Sequence, residues 1–211
     1  MHTRTLGTSR QGRAIVEHSR GAAGGLLVFG AIHGDEPGSA LLCERFLTRV
    51  MQADAEGPSL SIVPVLNPDG LARNHKDNAS GVDLNRSFAA RSWTREHPLP
   101  YFPGSQPGSE PETQALTQLV EARRPSLIVA VHQPFECVNW DGPAADAACA
   151  MSVRTGMPLR PSIGYPTPGS FGSWAGVDRG IAVITLELPW TPDEGLLARC
   201  VFAFEEAWRR S

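Results

Sequence analysis

The stretch Gly30-Ala31-Ile32-His33-Gly34-Asp35-Glu36-Pro37 follows directly on an apolar run, Leu26-Leu27-Val28-Phe29. Glycines precede the run and it contains β-branched and aromatic residues, so residues 26–32 read as a buried strand. Proline suits the first turn of a helix, where its missing N–H would be unpaired anyway. An apolar-periodic segment then begins at Ala40. A histidine and a carboxylate three residues apart thus stand where a strand ends and the next helix starts. Open α/β sheets place their sites at that position. The spacing lets both side chains turn to one side of a tight turn. Imidazole nitrogen and carboxylate oxygen are ordinary zinc ligands, at roughly 2.0–2.2 Å. The same residues would also suit a solvated loop, so the rest of the chain has to decide.

The 211 residues are enough for one domain, residues 1–211, with a sizeable core. A hydrophobic fraction of 41% and a charged fraction of 19% exclude disorder as the main state. A net charge of −3 leaves no basic footprint for nucleic acid. No apolar run approaches the length of a membrane span, and the N-terminal residues lack a secretory apolar core. The four cysteines, Cys43, Cys137, Cys149 and Cys200, form no C-x-x-C pair and read as free thiols. Together these features point to a cytoplasmic protein. Oligomeric state is not legible.

In chain order, residues 7–13 read as a hairpin turn and 14–18 as a short edge strand. Residues 39–51 form a helix with Leu41, Leu42, Phe46, Leu47 and Val50 at helical spacing. Residues 60–66 read as a strand in which Pro64 implies an edge or a bulge. Asn67-Pro68-Asp69-Gly70 is a turn. Residues 67–110 show little regular pattern, which in a compact domain marks a functional segment. A helix over 111–121 follows, capped by Ser109 or Glu110. Next come a strand over 126–131 ending in His132, a helix over 144–155, and a Gly/Pro-rich loop over 161–173. A strand over 181–186 ends in Glu187, and a helix over 193–210 closes the chain. The expected fold is single-domain α/β, with a mixed, mostly parallel sheet and helices on both faces.

Three strands therefore end in a candidate ligand or base: His33 and Glu36, His132, and Glu187. The carboxyl ends of strands in one sheet lie along one rim. Two imidazoles and a carboxylate would leave a fourth zinc position open to water. Glu187 is then available as general base.

These residues, together with the stretches around them, resemble the zinc carboxypeptidases (funnelins), and among them the murein peptide amidase A branch. The matching stretches are His33-Gly34-Asp35-Glu36, Asn67-Pro68-Asp69-Gly70, Gly81-Val82-Asp83-Leu84-Asn85-Arg86, Pro107-Gly108-Ser109-Glu110-Pro111-Glu112-Thr113, the strand into His132, Pro168-Gly169-Ser170-Phe171-Gly172-Ser173-Trp174, and Leu186-Glu187-Leu188-Pro189. The resemblance implies a zinc carboxypeptidase-like fold with one Zn2+ held by His33, Glu36 and His132. It implies Glu187 as the catalytic glutamate, and Asn85 and Arg86 as the pair that grips a terminal carboxylate. Tyr165, nine residues before Trp174, matches the family's mobile tyrosine.

One position departs. Lys76 stands five residues before Gly81, where the family usually has the arginine that polarises the scissile carbonyl. Lysine supplies charge without a bidentate fork. Lys76 is the expected oxyanion stabiliser, with Arg73 as the other candidate. Gln133 also follows His132 where the amidase branch often has aspartate. The implied activity is zinc-dependent hydrolysis of a C-terminal amide bond in a small peptide with a free terminal carboxylate, best matched by the γ-D-glutamyl-meso-diaminopimelate bond of murein tripeptide. A general carboxypeptidase or an N-acyl amino acid deacylase on the same scaffold is the alternative, and a catalytically dead peptide-binding module a more distant one.

Overall fold

The structure is a computed structural model and describes residues 1–52, 57–96 and 101–211. Its strands are β1 (His2–Thr8), β2 (Ala14–Arg20), β3 (Leu26–Phe29), β4 (Leu60–Val63), β5 (Leu127–His132), β6 (Cys137–Asp141) and β7 (Ala182–Glu187). Its helices are α1 (Pro37–Gln52), α2 (Pro68–Arg73), α3 (Pro111–Arg123), α4 (Ala145–Thr155) and α5 (Glu194–Arg210). The strands form one sheet in the order β1-β2-β4-β3-β5-β7-β6. The central four, β4-β3-β5-β7, are mutually parallel. The flanking pairs β1/β2, β2/β4 and β6/β7 are antiparallel.

Every residue of β3, β4 and β5 is buried, as parallel strands covered on both faces require. Alternation divides them between two cores. Val28, Ile62, Val129 and Ile184 pack on α1, α4 and α5. Leu27, Phe29, Val63 and Ile128 pack on α3 and on the segments around Phe88 and Trp174. The α/β sandwich expected from the strand and helix pattern is the one observed.

Four local expectations need correction. Residues 14–18 are not the sheet edge, because the polar residues of β1 pair outside β2 and take that place. Pro64 lies just past β4, which has neighbours on both sides, so the strand stops where a ladder donor would be missing. β6 was not foreseen: Cys137-Val138-Asn139-Trp140-Asp141 has no clean alternation, because it is an edge strand beside the cleft. The turn at Asn67 opens α2, with Asn67 Oδ1 accepting from Gly70 N at 2.8 Å and Pro68 in the first turn. In the segment 67–110, residues 97–100 lie outside the described part. At α3, Glu110 occupies the cap position without making a side-chain cap bond. Asp193 does cap α5, accepting from Leu196 N at 2.7 Å.

Candidate metal centre and substrate cleft

β3 stops at Phe29, and the chain turns through Ala31 in the left-handed region (φ 47). Ser39, in the first turn of α1, holds that turn from one side. Its Oγ accepts from Ala31 N at 2.8 Å and donates to Glu36 O at 2.6 Å. From the other side Asn67 Nδ2 donates to Ile32 O, and Asn67 N to Ala31 O. Gly34 packs against the backbone of α2, where a Cβ would lie 2.0 Å from Gly70 C. Only glycine allows that approach. His33 and Glu36 are thereby fixed on one side of the turn, as their spacing suggested.

His132 ends β5 and Glu187 ends β7, and the register pairs them directly. All four side chains are buried. His33 Nδ1 lies 2.6 Å from Glu36 Oε1, and His132 Nδ1 lies 3.1 Å from Glu36 Oε2. One ligand atom from each of the three residues falls within 4.8 Å of the others. The far nitrogen of His33, Nε2, lies 3.1 Å from Asp83 Oδ1. A carboxylate behind an imidazole orients its other nitrogen toward a metal. Two imidazoles facing a shared carboxylate form a donor set that fits zinc.

The electrostatics fit as well. Burial disfavours a charged imidazole at His33, but Glu36 and Asp83 outweigh it and raise its pKa to about 10. Burial likewise opposes charge on Glu36, yet His33 and His132 hold its pKa down at about 2. Asp83 is also desolvated, and His33 and Lys76 still keep it well below the usual carboxylate range. Two buried anions flanking imidazoles thus demand positive charge, from protons or from a metal ion. Glu187 behaves oppositely. Burial pushes its pKa up and the Glu36 charge adds to that, against the attraction of His132.

A cleft opens in front of these groups in two lobes, each of about 210 Å³. Asn85, His132, Tyr165 and Glu187 line both. The outer lobe adds His33, Glu36, Lys76, Arg86 and Tyr101, with Phe135 and Trp190 at its rim. Arg86 is 2% exposed, and its Nε has no partner among the described residues. Its Nη1 donates to Asn85 O at 2.7 Å, and its guanidinium lies 5.4 Å from the Tyr101 ring centre and 6.0 Å from that of Tyr165. Asn85 Oδ1 accepts from Phe171 N at 2.9 Å. Burial raises the Tyr165 phenol, opposed by Arg86.

The two candidates for the carbonyl-polarising cation separate. Lys76 lines the outer lobe, with its ammonium 2.5 Å from Asp83 Oδ2 and 3.6 Å from the Tyr101 ring centre. Arg73 does not come to the cleft. It is exposed, and its guanidinium donates to the carbonyls of Asp69, Asp77 and Asn78 within its own loop. Asp83 was missed as a site residue, although its place two before Asn85 in Gly81-Val82-Asp83-Leu84-Asn85-Arg86 was visible. Gln133 serves as a strut: its Oε1 accepts from Gly38 N at 2.8 Å, and its Nε2 donates to Pro189 O and Trp190 O.

Comparison with known proteins agrees with this geometry. A family model described as zinc carboxypeptidase matches residues 1–142. Murein peptide amidase A of Escherichia coli K12 is 34% identical over 198 residues, covering 87% of this chain and 78% of the relative. The Vibrio campbellii protein of that name is 34% identical over 191 residues, covering 83% and 71%. The crystal structure of murein-tripeptide amidase MpaA from Escherichia coli O157 superposes with a TM-score of 0.83 at 30% identity, covering 99% of this chain and 92% of that one. Thrombin-activatable fibrinolysis inhibitor shares the fold, with a TM-score of 0.80 at 18% identity over 100% of this chain and 72% of its own. With the family model, the relatives and the cleft in agreement, the chain belongs to the zinc carboxypeptidase family of hydrolytic metalloenzymes.

Proposed function

We propose that this protein hydrolyses the C-terminal amide bond of a small peptide, and that the bond is the γ-D-glutamyl-meso-diaminopimelate bond of murein tripeptide. The observation that carries the reading is Arg86: a buried guanidinium with an unpartnered Nε, in the same lobe as the His33–Glu36–His132 set and Glu187. An unpaired buried donor is costly and calls for an acceptor. A terminal carboxylate is the acceptor that a guanidinium fork matches best.

His33, Glu36 and His132 would hold one zinc ion. Zinc in such a site supplies Lewis acidity, which acidifies water and polarises a carbonyl. Arg86 grips the terminal carboxylate, with Asn85 beside it as a neutral donor. Tyr165 closes over the bound peptide from the loop that carries it. Glu187 accepts a proton from the attacking water and delivers it to the departing amine. Its raised pKa suits it to both tasks. Lys76 keeps two ammonium protons beyond the one given to Asp83, and these serve the carbonyl oxygen as charge develops on it. Asp83 orients His33 from behind. The choice of bond follows the relatives' names, and residues 1–211 act as one catalytic unit. A cytoplasmic setting agrees with four free cysteines.

The test is to incubate metal-quantified protein with L-Ala-γ-D-Glu-meso-diaminopimelate and follow free diaminopimelate by mass spectrometry. Release at about one zinc per chain, stopped by a chelator, is the expected result. Cleavage only of α-linked peptides or of N-acyl amino acids would transfer the assignment to a general carboxypeptidase or a deacylase. Tight binding without cleavage would make the chain a binding module, against which the buried base Glu187 argues.

A further inference from the structure

The deeper lobe of the cleft contains a charged side chain that the proposed chemistry does not use. Asp141 is the last residue of β6. The β6/β7 register pairs Cys137 with Glu187, Asn139 with Thr185 and Asp141 with Val183. Paired residues of an antiparallel ladder share a face, and alternate residues return to it. Asp141 and Asn139 therefore face the cleft together with Thr185 and Glu187, and all four line the deep lobe. At roughly 3.3 Å per residue, the strand sets Asp141 about 13 Å beyond the level of Glu187. Whatever meets it from the reaction centre is carried on a long side chain.

The surroundings make room for this carboxylate and give it no partner. A Cβ on Gly172 would lie 2.0 Å from Asp141 Oδ2, and one on Gly176 would lie 2.4 Å from Asp141 Cβ. Gly172 has ordinary helical dihedrals (φ −60, ψ −42), so space is what calls for glycine there. Among the described residues the Asp141 carboxylate makes no hydrogen bond or ion pair. Among the described residues no lysine or arginine lines the deep lobe, and Arg86 lines the outer one. Burial alone pushes the Asp141 pKa up. A half-buried carboxylate without a counter-charge is completed by a cationic ligand.

We propose that Asp141 determines specificity in the deep lobe, its carboxylate receiving the distal ammonium of the amino acid released by cleavage. The substrate class is then a peptide ending in a diamino acid, such as meso-diaminopimelate or lysine, and a neutral residue of the same length is disfavoured. Asn139, Ser162 and Thr185 add neutral polar groups to the same lobe, which suit the carboxylate that diaminopimelate carries beside that ammonium. This inference rests on the peptidase reading of the cleft.

The experiment compares kcat/KM within two substrate pairs. One pair is γ-D-glutamyl-linked, ending in meso-diaminopimelate or in L-2-aminopimelate, which lacks only the distal amine. The other is α-linked, ending in lysine or norleucine. The wild-type protein should prefer the ammonium-bearing member by about ten- to a hundredfold, the value of one charge-assisted hydrogen bond. In Asp141→Asn that ratio should fall toward one. Gly172→Ala, whose new Cβ displaces the carboxylate, should shift the ratio the same way. A merely structural role would lower both members alike and leave the ratio standing, which would overturn the proposal. So would a wild-type protein without preference. Which linkage is cut judges the functional reading, and the ratio within that linkage judges Asp141. Should neither linkage be cut, calorimetric titration with free lysine against norleucine decides. An unchanged binding ratio in Asp141→Asn refutes the assignment, and a lost one supports it.

Discussion

Three buried carboxylates, Glu36 and Glu187 in the cleft and Asp83 behind His33, are tuned in different directions. Glu36 and Asp83 are held low by the imidazoles they face, while Glu187 is raised by burial. The difference comes from partners. The first two contact His33 directly, whereas among the described residues Glu187 accepts only a long bond from Phe135 N, at 3.4 Å. A carboxylate that is neither ligand nor ion-pair partner is free to carry protons. Glu187→Gln should therefore abolish measurable turnover, by about 10²–10⁴ or more, while zinc content measured by atomic absorption stays at wild-type level. Loss of zinc in that variant would make Glu187 a ligand. Arg86→Ala should raise KM about ten- to a hundredfold, the value of one charge-assisted contact. Steady-state kinetics with an unchanged KM would remove Arg86 from the substrate grip. At this scale the candidate ligands and the candidate base could be read from local pattern. It favoured Lys76 without excluding Arg73 and gave Asp83 no role, because which groups reach a cleft depends on loop hydrogen bonds. Arg73 is committed to three carbonyls, and spacing along the chain carries no trace of that.

At the scale of elements, the N-terminal hairpin supports the site from outside. Asp69 in α2 accepts from Ser9 Oγ at 2.8 Å, Gln11 N at 3.0 Å and Arg13 Nη1 at 2.6 Å, which clamps the β1–β2 turn onto the helix that backs Gly34. Glu17 in β2, fully buried, meets Arg4 of β1, Ser61 of β4 and Arg123 at the end of α3. Burial opposes its charge, but those three partners hold its pKa below the ordinary value. A depressed folded-state pKa contributes stability that is fully present above the unfolded value of about 4.3 and is lost as pH falls through the folded value. Glu17→Gln should thus cost roughly 3 kcal/mol at pH 7, toward the low end for a broken buried pair because Arg4 is half exposed. Urea denaturation should show the gap between wild type and variant narrowing below about pH 4. A gap that stays constant with pH would show that the Glu17 charge is not what joins these strands. β1 escaped the sequence reading because a polar edge strand is defined by its pairing with β2, and β6 escaped it for a similar reason.

For the whole molecule, the parallel arrangement of β3, β5 and β7 matters most. Their carboxyl ends lie side by side, so residues 33, 36, 132 and 187 meet without any of them being close in sequence to all the others. A metal bound there ties the turn after β3 to the end of β5, adding to the strand ladder and to the Gly38 N–Gln133 Oε1 hydrogen bond that already join them at this rim. An ion that binds only the folded chain stabilises it by about 2.7 kcal/mol at a hundredfold excess over Kd. For a chain of this length, each kcal/mol moves Tm by roughly 2–4 °C. Chelation should therefore lower Tm by about 5–10 °C in scanning calorimetry, and restored zinc should reverse the shift. An unchanged Tm after complete metal removal would contradict a folded-state metal site at these ligands.

Layer architecture, family, and the strand ends that carry His33, Glu36, His132 and Glu187 are all readable along the chain. Each of these is written locally, in apolar runs, in a three-residue spacing and in short motifs. Long-range packing alone places Asp83 behind His33, brings Lys76 into the cleft while Arg73 stays in its loop, and turns Asp141 toward an otherwise uncharged part of the deep lobe. Those outcomes depend on which distant segments come into contact and on which hydrogen bonds are already taken. Asp141 and Gly172 lie 31 positions apart, yet each explains the other. The carboxylate needs the missing Cβ, and that relation exists only once β6 and the turn before Trp174 are packed together.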